Sequence, residues 1–242
     1  MSEEISLAES VDRFYDTELG PKDFAFIYAG YAGILLRTKN KVVALDPADL
    51  FSKVKHQIMP LDLITYSHSH SDHFNLSNAV TLQKSTNATI ISEYNMVEDL
   101  RKRIPKDKVF SGPEVFQKVR DGIKFKIDGI RVELHRGVHP RQLAQVRLSI
   151  GGLKVFHAAD SGYWPVGMDK VDVAFLPTGN PSPTCHPAVA LAMAMDMNPT
   201  FAVTVHGEDE QHQKFKDLAA HELPDTTVVI PSINELVILT KS

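Results

Sequence analysis

A cluster of three histidines and one aspartate lies just after an apolar segment in the first third of the chain. The cluster consists of His68, His70, Asp72 and His73. Imidazole and carboxylate groups are ligands of first-row metal ions, and four of them in six positions are too many for ordinary surface polarity. The preceding residues 61–66 are apolar and β-prone, so we expect the cluster where a buried strand gives way to a loop. The sequence therefore predicts a metal site at this strand end.

The spacing within the cluster indicates how the ligands are shared. Side chains two residues apart in extended backbone lie on one face, so His68 and His70 can converge on one ion. Asp72 and His73 follow where the loop should turn into a helix, and there they can serve a second ion. A histidine-rich surface loop is the alternative interpretation, but a tag-like cluster would be terminal and would lack the flanking strand.

Four residues cannot complete two metal sites, so other parts of the chain must contribute. Three candidates, His139, Asp160 and His206, stand at the ends of the β-rich runs 130–139, 154–160 and 201–206. In layered α/β folds the carboxyl ends of strands line one edge of a sheet, and we therefore expect these residues on one rim. His135, four residues before His139, is an alternative ligand from the same run.

The order of these residues resembles the metallo-β-lactamase superfamily of metal-dependent hydrolases. The pattern is His68-x-His70-x-Asp72-His73, followed by His139, Asp160 and His206. The run from Val42 to Asp46 is similar to an early strand of the superfamily that ends in aspartate, and the run from Phe156 to Gly162 resembles its His-x-x-Asp-[Thr/Ser]-Gly element. The resemblance extends from about Phe24 to the C-terminus. It looks most like the small stand-alone hydrolases that include the ascorbate-6-phosphate lactonase type.

The resemblance implies an α/β fold, a four-layer αββα sandwich, with two divalent metal ions per chain. The first ion would be bound by His68, His70 and His139, and the second by Asp72, His73 and His206, with Asp160 bridging. Asp46 would accept the free N–H of a ligand histidine. True β-lactamases of the superfamily lack the bridging aspartate, so antibiotic hydrolysis is not expected. Zinc is the first choice of metal, and manganese and iron stay open.

The expected activity is hydrolysis of a small, anionic lactone, ester or phosphodiester by a hydroxide that two metal ions activate. Asp72 could orient the water or move its proton, while Tyr31, His186 or an arginine could stabilise the developing oxyanion. Tyr31 stands where the resembled group commonly has a histidine. A ribonuclease or other phosphodiesterase acting on RNA, and a metal-dependent binding protein without turnover, are the competing functions.

Two arginines flank one of the expected ligands. Arg136 and Arg141 lie on either side of His139, and a guanidinium group can bind phosphate or carboxylate through two parallel hydrogen bonds. Either arginine could therefore hold an anionic group of a small-molecule substrate. Solvated surface arginines are the alternative interpretation. Tyr163 and Trp164 could line the same cleft, with ordinary packing as the alternative.

Composition and sequence pattern indicate how many domains the chain has and which binding partners to expect. The chain has 242 residues, a net charge of −4 and one cysteine, Cys185, which excludes an intramolecular disulfide. We predict an N-terminal extension at residues 1–22, helical from the spacing of its apolar residues, and one hydrolase domain at residues 23–242. The basic residues are scattered, so strong nucleic-acid binding is not expected. The sequence shows no signal peptide or transmembrane-length apolar run, which predicts a cytoplasmic protein without a membrane partner. A homo-oligomer is left open.

The coarse pattern predicts alternating strands and helices. Helices are expected at residues 76–84, 96–103, 187–197 and 209–221, and the pair Gly151 and Gly152 indicates a hairpin between two strands. The expected strands are 24–29, 33–37, 41–46, 61–66, 88–92, 123–127, 131–134, 145–150, 153–157, 171–176, 201–205, 227–230 and 235–239. Among the remaining histidines, His157 is expected to be packed, whereas His56, His212 and His221 are expected at the surface.

Overall fold

The computed structural model describes residues 6–112, 122–165 and 170–241, so residues 1–5 of the predicted extension lie outside it. The strands are β1 (Asp23–Gly30), β2 (Gly33–Thr38), β3 (Val42–Leu45), β4 (Leu63–Tyr66), β5 (Thr89–Ser92), β6 (Val109–Ser111), β7 (Ile123–Ile127), β8 (Ile130–Arg136), β9 (Ala144–Ile150), β10 (Leu153–His157), β11 (Val173–Pro177), β12 (Phe201–Val205), β13 (Thr227–Val229) and β14 (Leu236–Thr240). The helices are α1 (Leu7–Asp16), α2 (Leu76–Thr86), α3 (Val97–Arg101), α4 (Pro187–Met197) and α5 (Asp209–Glu222). Among these described helices, none combines the length and the apolar character that a membrane crossing requires.

The chain divides into two compact units. The first contains Met1–Ser92, Met96–Ser111 and Pro231–Ser242, and the second contains Glu93–Asn95 and Gly112–Ile230. Each unit has its own mixed seven-stranded sheet. These two sheets with their helices confirm the predicted α/β class.

The sheet of the first unit has the strand order β14-β1-β2-β3-β4-β5-β6. The pairs from β14 to β3 are antiparallel, whereas the pairs from β3 to β6 are parallel. Strands β3, β4 and β5 are buried along their whole length, which explains their continuous apolar runs. Because β3 and β4 are parallel neighbours, Asp46 and Ser67 leave the sheet at the same edge.

Helix α1 packs into the core of the first unit. Its residues Val11 and Phe14 are fully buried in that core, and burying two such side chains stabilises the unit by about 1.5–3 kcal/mol each. The guanidinium group of Arg37 on β2 donates hydrogen bonds to the carbonyls of Tyr15 and Thr17 at the end of the helix. The described part of the N-terminal segment is therefore bound to the sheet by both apolar and polar contacts.

The sheet of the second unit has the strand order β13-β12-β11-β10-β9-β8-β7. Strands β10 to β13 are parallel neighbours, while β7 to β10 pair in antiparallel fashion. Strand β8 runs in the same direction as β10 because both are antiparallel to β9. The carboxyl ends of β8, β10, β11 and β12 therefore meet at one edge of this sheet, and the chain continues from there to His139, Asp160, Thr178 and His206.

Helices α4 and α5 pack on β10, β11 and β12 through a core that includes Phe156, Leu176 and Phe215. Helix α4 begins with Pro187, as the sequence predicts. Helix α5 begins with a capping box in which the side chains of Glu208 and Gln211 bind each other's backbone N–H groups. This cap fixes the start of α5 three residues after His206.

Three local expectations differ from the structure. Strand β6 was not expected, and it has only three residues. The expected helix at residues 96–103 is shorter, because α3 ends at Arg101. Strand β8 ends at Arg136, so His139 follows the strand in a loop and does not close it. The predicted hairpin between β9 and β10 is confirmed, with Gly151 and Gly152 at φ values of 52° and 85° that favour glycine.

Candidate metal centre

In the first unit, the carboxyl ends of β3 and β4 bring Asp46 next to Ser67. Asp46 is completely buried. Its Oδ1 accepts a hydrogen bond from the backbone N–H of Ser67 at 2.7 Å, and its Oδ2 accepts one from the Ser67 hydroxyl at 2.5 Å. These bonds satisfy a buried carboxylate that would otherwise be costly to desolvate.

The same carboxylate orients His73. The Nδ1 atom of His73 lies 2.8 Å from Oδ2 of Asp46, and both side chains are inaccessible to solvent. A carboxylate can only accept here, so Nδ1 carries the proton and the lone pair of Nε2 is available to a metal ion. Nε2 lies 3.6 Å from Oδ2 of Asp72. His73 and Asp72 thus offer a nitrogen and an oxygen ligand side by side.

His68 and His70 complete the histidine cluster of the first unit. Their ring centroids are 4.7 Å apart, and the rings of His68 and His73 are 4.1 Å apart. The Ser67 hydroxyl, which donates to Asp46, accepts from Nδ1 of His68 at 3.0 Å. This bond leaves Nε2 of His68 as the ligand atom. The backbone turn is closed by the N–H of His73, which donates to the carbonyl of His70 at 3.0 Å.

In the second unit, Asp160 lies between two histidines. Its Oδ1 is 2.7 Å from Nε2 of His206, and its Oδ2 is 3.9 Å from Nε2 of His139. All three side chains are almost inaccessible to solvent. Each oxygen of one carboxylate therefore points to a different imidazole, which is the arrangement expected of a ligand that two ions share.

The backbone of Arg141 contacts the other nitrogen of His139. Nδ1 lies 3.1 Å from the N–H and 3.3 Å from the carbonyl oxygen of Arg141. The N–H of Arg141 donates to Nδ1 in this geometry, whereas a metal ion on Nε2 would require the other tautomer, in which Nδ1–H donates to the Arg141 carbonyl. His135, the alternative ligand, lies on β8 with its Nε2 3.5 Å from Glu133. The geometry therefore favours His139 over His135 as the neighbour of Asp160.

A buried hydrogen-bond network supports the loop that carries His206. The carbonyl of His206 accepts hydrogen bonds from Thr178 N–H at 2.7 Å, from the Thr178 hydroxyl at 3.0 Å and from Gly179 N–H at 3.1 Å. The Thr178 hydroxyl in turn accepts from Nδ1 of His212 at 2.7 Å. The expectation that His212 lies at the surface was wrong, because it is buried under this loop. Burial also lowers its pKa, which keeps the ring neutral.

Residues Ser67, Thr178 and His212 were not predicted from the sequence. Ser67 directly precedes the histidine cluster, and Thr178 follows β11 at the edge where the other strand ends meet. His212 forms a buried stripe on α5 with Phe215 and Ala219. Their spacing of three and four residues is a helical signal that could have identified His212 as an inward-facing residue.

Several loops that carry candidate ligands contain left-handed backbone. Asp46, Ala159 and His206 have φ values of 42°, 53° and 37°. This left-handed region is unfavourable for residues other than glycine. The buried hydrogen bonds of Asp46 and of the His206 carbonyl offset that cost, since they hold both residues in place.

Arg136, Arg141 and His139 line one cavity in the second unit. The cavity has a volume of about 220 Å³, and its wall is completed by Gly137, Pro140, Gln142 and Leu143. The guanidinium carbon of Arg136 lies 4.8 Å above the ring of Trp164, an arrangement typical of a cation–π contact. Both arginines are exposed, and they adjoin a candidate ligand.

Tyr31 and His186 occupy exposed positions in the first and second unit, respectively. Tyr31 lies in the turn between β1 and β2, where the hydroxyl of Tyr28 donates to its carbonyl at 3.1 Å. Its side chain is 48 % exposed. His186 immediately precedes α4 and makes no side-chain hydrogen bond to the helix. Both residues stay candidates for proton transfer.

Comparison with known proteins identifies the family. A family model described as the β-lactamase superfamily domain matches residues 42–207, which is more than half of the chain. The chain belongs to the metallo-β-lactamase superfamily. This membership confirms the family resemblance of the sequence, whereas the ascorbate-6-phosphate lactonase subgroup stays a prediction.

Individual relatives and solved structures also resemble the chain. A UPF0173 metal-dependent hydrolase of Thermoplasma acidophilum is 27% identical over 234 residues, covering 88% of this chain and 98% of the relative. The metallo hydrolase Igni18 of Ignicoccus hospitalis superposes with a TM-score of 0.69 at 18% identity, over 91% of this chain and all of that one. The metallo-β-lactamase fold protein YhfI of Bacillus subtilis superposes with a TM-score of 0.67 at 16% identity, over 90% of this chain and 99% of that one. These solved structures confirm the predicted metallo-β-lactamase-like fold.

The donor chemistry of the two units fits a metal ion. Within the first unit the ligand atoms of His68 and His70, and those of Asp72 and His73, lie within 4.8 Å of one another. Within the second unit the same holds for Asp160 with His139 and with His206. Neutral imidazole and carboxylate suit zinc, manganese and iron. This superfamily member therefore carries histidine and aspartate clusters that could hold metal ions.

Proposed function

We propose that this protein is a hydrolase that requires two divalent metal ions and cleaves a small, anionic lactone, ester or phosphodiester. The arrangement of Asp160 carries the proposal, because its two carboxylate oxygens point to two different buried histidines. Membership of the metallo-β-lactamase superfamily supports it, as do relatives named metal-dependent hydrolases.

Seven side chains would hold the ions. His68, His70 and His139 would bind the first ion, Asp72, His73 and His206 would bind the second, and Asp160 would be shared. Zinc is our first choice, and manganese and iron suit the same ligands. Asp46 and Ser67 keep protons on the Nδ1 atoms of His73 and His68, so that the Nε2 atoms would be available to the ions.

The ions would supply an activated water and polarise the oxygen of the scissile carbonyl or phosphoryl group. Asp72 is partly exposed, unlike its buried neighbour His73, so it can orient a solvent water and accept a proton. Tyr31 and His186 are exposed groups that could donate a proton to the leaving group or stabilise the oxyanion.

Arg136 and Arg141 would bind the anionic group of the substrate. They line the 220 Å³ cavity together with His139, so an anion held by either arginine would lie next to a metal ligand. The guanidinium group of Arg136 packs over the ring of Trp164. The edges of that group are then directed to a ligand, which suits the two parallel hydrogen bonds that a phosphate or carboxylate accepts.

Metal analysis tests the proposed ligands. Purified protein reconstituted with zinc or manganese should bind about two ions per chain, as a dinuclear hydrolase site requires. Asp160→Asn should lower the occupancy of both ions and abolish turnover of generic lactone and phosphodiester substrates. Asp217→Asn, on the exposed side of α5, is the matched control and should keep the metal occupancy and the turnover of the wild type. A wild-type protein that binds no metal after reconstitution would refute the site, and two ions without any turnover would indicate a binding protein.

Substrate analogues test the anion-binding role of the arginines. Arg136→Lys or Arg141→Lys should raise KM for an anionic substrate by about tenfold or more, because lysine keeps the charge but loses the bidentate geometry. The KM for a neutral ester of matched reactivity should change little. An Arg136→Ala and Arg141→Ala double variant that hydrolyses both analogues in the wild-type ratio would show that the arginines do not select the anion.

A further inference from the structure

A second group of basic side chains lies on one face of the sheet of the second unit. Strand pairing places Lys126 opposite Arg131, Arg131 opposite Ser149, and Ser149 opposite Lys154. Residues that are directly opposite across strands point to the same face. These four residues therefore form one row across β7, β8, β9 and β10. We call it the basic row.

A second row lies beside it on the same face. Lys124 is opposite Glu133, and Glu133 is opposite Arg147. At β10 and β11 the same face is covered by helices α4 and α5. Phe156 and Ala174 are buried there in the core that these helices share with the sheet. On β7 and β8 the residues of the face are solvent-accessible, because Lys124, Lys126 and Arg131 are exposed.

The charges on this face do not balance. The two rows hold five basic residues and one acidic residue, although the whole chain has a net charge of −4. Glu133 is shared by Lys124 at 3.4 Å, His135 at 3.5 Å and Arg147 at 3.9 Å. Over the described ranges, no carboxylate forms an ion pair with Lys126, Arg131 or Lys154. Asp172 accepts a hydrogen bond from the backbone N–H of Lys154 at 2.7 Å, and Lys154 is exposed.

The two rows enclose a cavity. Its volume is about 220 Å³, and Arg131, Glu133, Arg147, Ser149 and Lys154 line it. Three of these residues are cationic and one is anionic, so the wall carries two net positive charges. The Ser149 hydroxyl lies between Arg131 and Lys154 in the basic row and can donate a further hydrogen bond. Guanidinium, ammonium and hydroxyl donors around one cavity are the set that phosphoryl oxygens accept.

We propose that this cavity binds a compact phosphate-rich anion that carries at least two linked phosphoryl groups. Adjacent strands are about 4.8 Å apart, so the backbones of β8 and β10, which carry Arg131 and Lys154, are about 10 Å apart. A diphosphate group can contact both side chains at once, whereas a single phosphate requires both to bend to one point. The two net positive charges also match a diphosphate better than a monoanion.

The same observations argue against a long nucleic-acid strand. Glu133 lies in the middle of the face, where it would repel a continuous line of phosphates. Binding of single strands also relies on aromatic side chains that stack with bases, and over the described residues the exposed aromatic side chains, Tyr31, Tyr94 and Tyr163, lie outside β7–β10. A compact anion can contact Arg131, Ser149 and Lys154 in the basic row, and Glu133 then faces it only from the neighbouring row.

The proposed anion site and the proposed substrate cavity share no residue. Arg131 and Arg136 both belong to β8, and five residues of strand separate their Cα atoms by about 16 Å. An anion in the basic row therefore leaves Arg136 and Arg141 accessible. We expect a ligand site that binds independently of the substrate.

Isothermal titration calorimetry of the metal-loaded full chain tests this proposal with inorganic phosphate, pyrophosphate and tripolyphosphate. Pyrophosphate and tripolyphosphate should bind more tightly than phosphate. Arg131→Gln and Lys154→Gln should each weaken pyrophosphate binding about tenfold, because each removes a charge-assisted hydrogen bond. The double variant should abolish the pyrophosphate binding that an Arg136→Gln and Arg141→Gln variant retains. Arg103→Gln, an exposed arginine of the first unit, is the matched control and should bind as the wild type does.

Three results would overturn the proposal. The first is pyrophosphate binding that is absent in the wild type or unchanged in the double variant. The second is binding that is lost in an Arg136→Gln and Arg141→Gln variant but kept in the double variant, which would place the anion in the substrate cavity. The third is a single-stranded oligoribonucleotide that binds more tightly than tripolyphosphate and loses affinity on Arg131→Gln, which would indicate a nucleic-acid surface. Thermal unfolding of each variant verifies that it is folded.

Discussion

Replacing Asp46 by asparagine tests how far one buried carboxylate controls the metal site. Asp46 accepts three hydrogen bonds, from Ser67 N–H, the Ser67 hydroxyl and His73 Nδ1. Asparagine keeps one acceptor oxygen but directs an NH₂ group at one of these donors, and it removes the negative charge. Hydrogen bonds to a charged group contribute about 1.5–3 kcal/mol each, so the change should weaken both the loop and the orientation of His73.

The expected effect is a 10- to 100-fold loss of affinity for the ion that His73 binds, typical of changes to groups that orient a metal ligand. That range corresponds to about 1.4–2.8 kcal/mol. Chelator competition measures the dissociation constant of each ion, and thermal unfolding of the metal-free protein reports the effect on the fold.

Asp62→Asn provides the matched control for Asp46→Asn. Asp62 precedes β4 and accepts from Val42 N–H at 2.8 Å and from the Lys41 ammonium at 2.7 Å. It belongs to the same pair of strands but binds neither Ser67 nor a histidine of the cluster. Wild-type metal affinity in Asp46→Asn, or an equal loss in both variants, would refute the reasoning that the Asp46 contact to His73 controls metal binding.

Two further predictions concern buried ionisable groups of the second unit. Burial raises the pKa of Glu93 from 4.5 to about 7, so the folded state keeps a proton that the unfolded state releases. Stability should therefore fall as pH rises from about 4.5 to 7. Glu93→Gln should remove that fall in urea unfolding at pH 5 and pH 8, and an unchanged pH dependence would contradict the assignment. Burial raises the pKa of Cys185 to about 12, and its thiol donates to the carbonyl of Pro177, so a thiol reagent should modify the folded protein far more slowly than the unfolded one. Rapid labelling of one thiol per folded chain would show that Cys185 is accessible.

Sequence periodicity correctly predicts most of the elements that position the site, because their buried residues form continuous or regularly spaced apolar runs. The apolar runs of β3, β4 and β12 are buried on both faces, and β7, β10, β12 and α4 have the predicted bounds. The histidine cluster was visible because its members are close in sequence. Strand β6 was missed because three residues at the edge of a sheet carry too little pattern to detect.

Long-range hydrogen bonds explain what the sequence could not predict. The pairing of Thr178 with His212 joins residues 34 positions apart, and the pairing of Asp46 with His73 joins residues 27 apart. The left-handed backbone of Asp46 and His206 also could not be located from residue type, because Asp and His adopt it only at particular positions, where tertiary contacts enforce it. The basic residues look scattered along the chain, yet alternation along β7, β8 and β9 places Lys124, Lys126, Arg131 and Arg147 on one face.

The position of β14 in the chain has a consequence for synthesis. This strand pairs with β1 in the first unit, and the N–H of Lys241 binds the carbonyl of Lys22. During translation β1 is made more than 200 residues before its partner, so its outer edge stays without the hydrogen bonds of β14 until residues 236–240 leave the ribosome. Seven of its eight residues are buried in the finished unit, and an open edge on such an apolar strand is prone to pair with other chains. Pairing with β14 therefore covers an edge of β1 at which the nascent chain could otherwise associate with other chains.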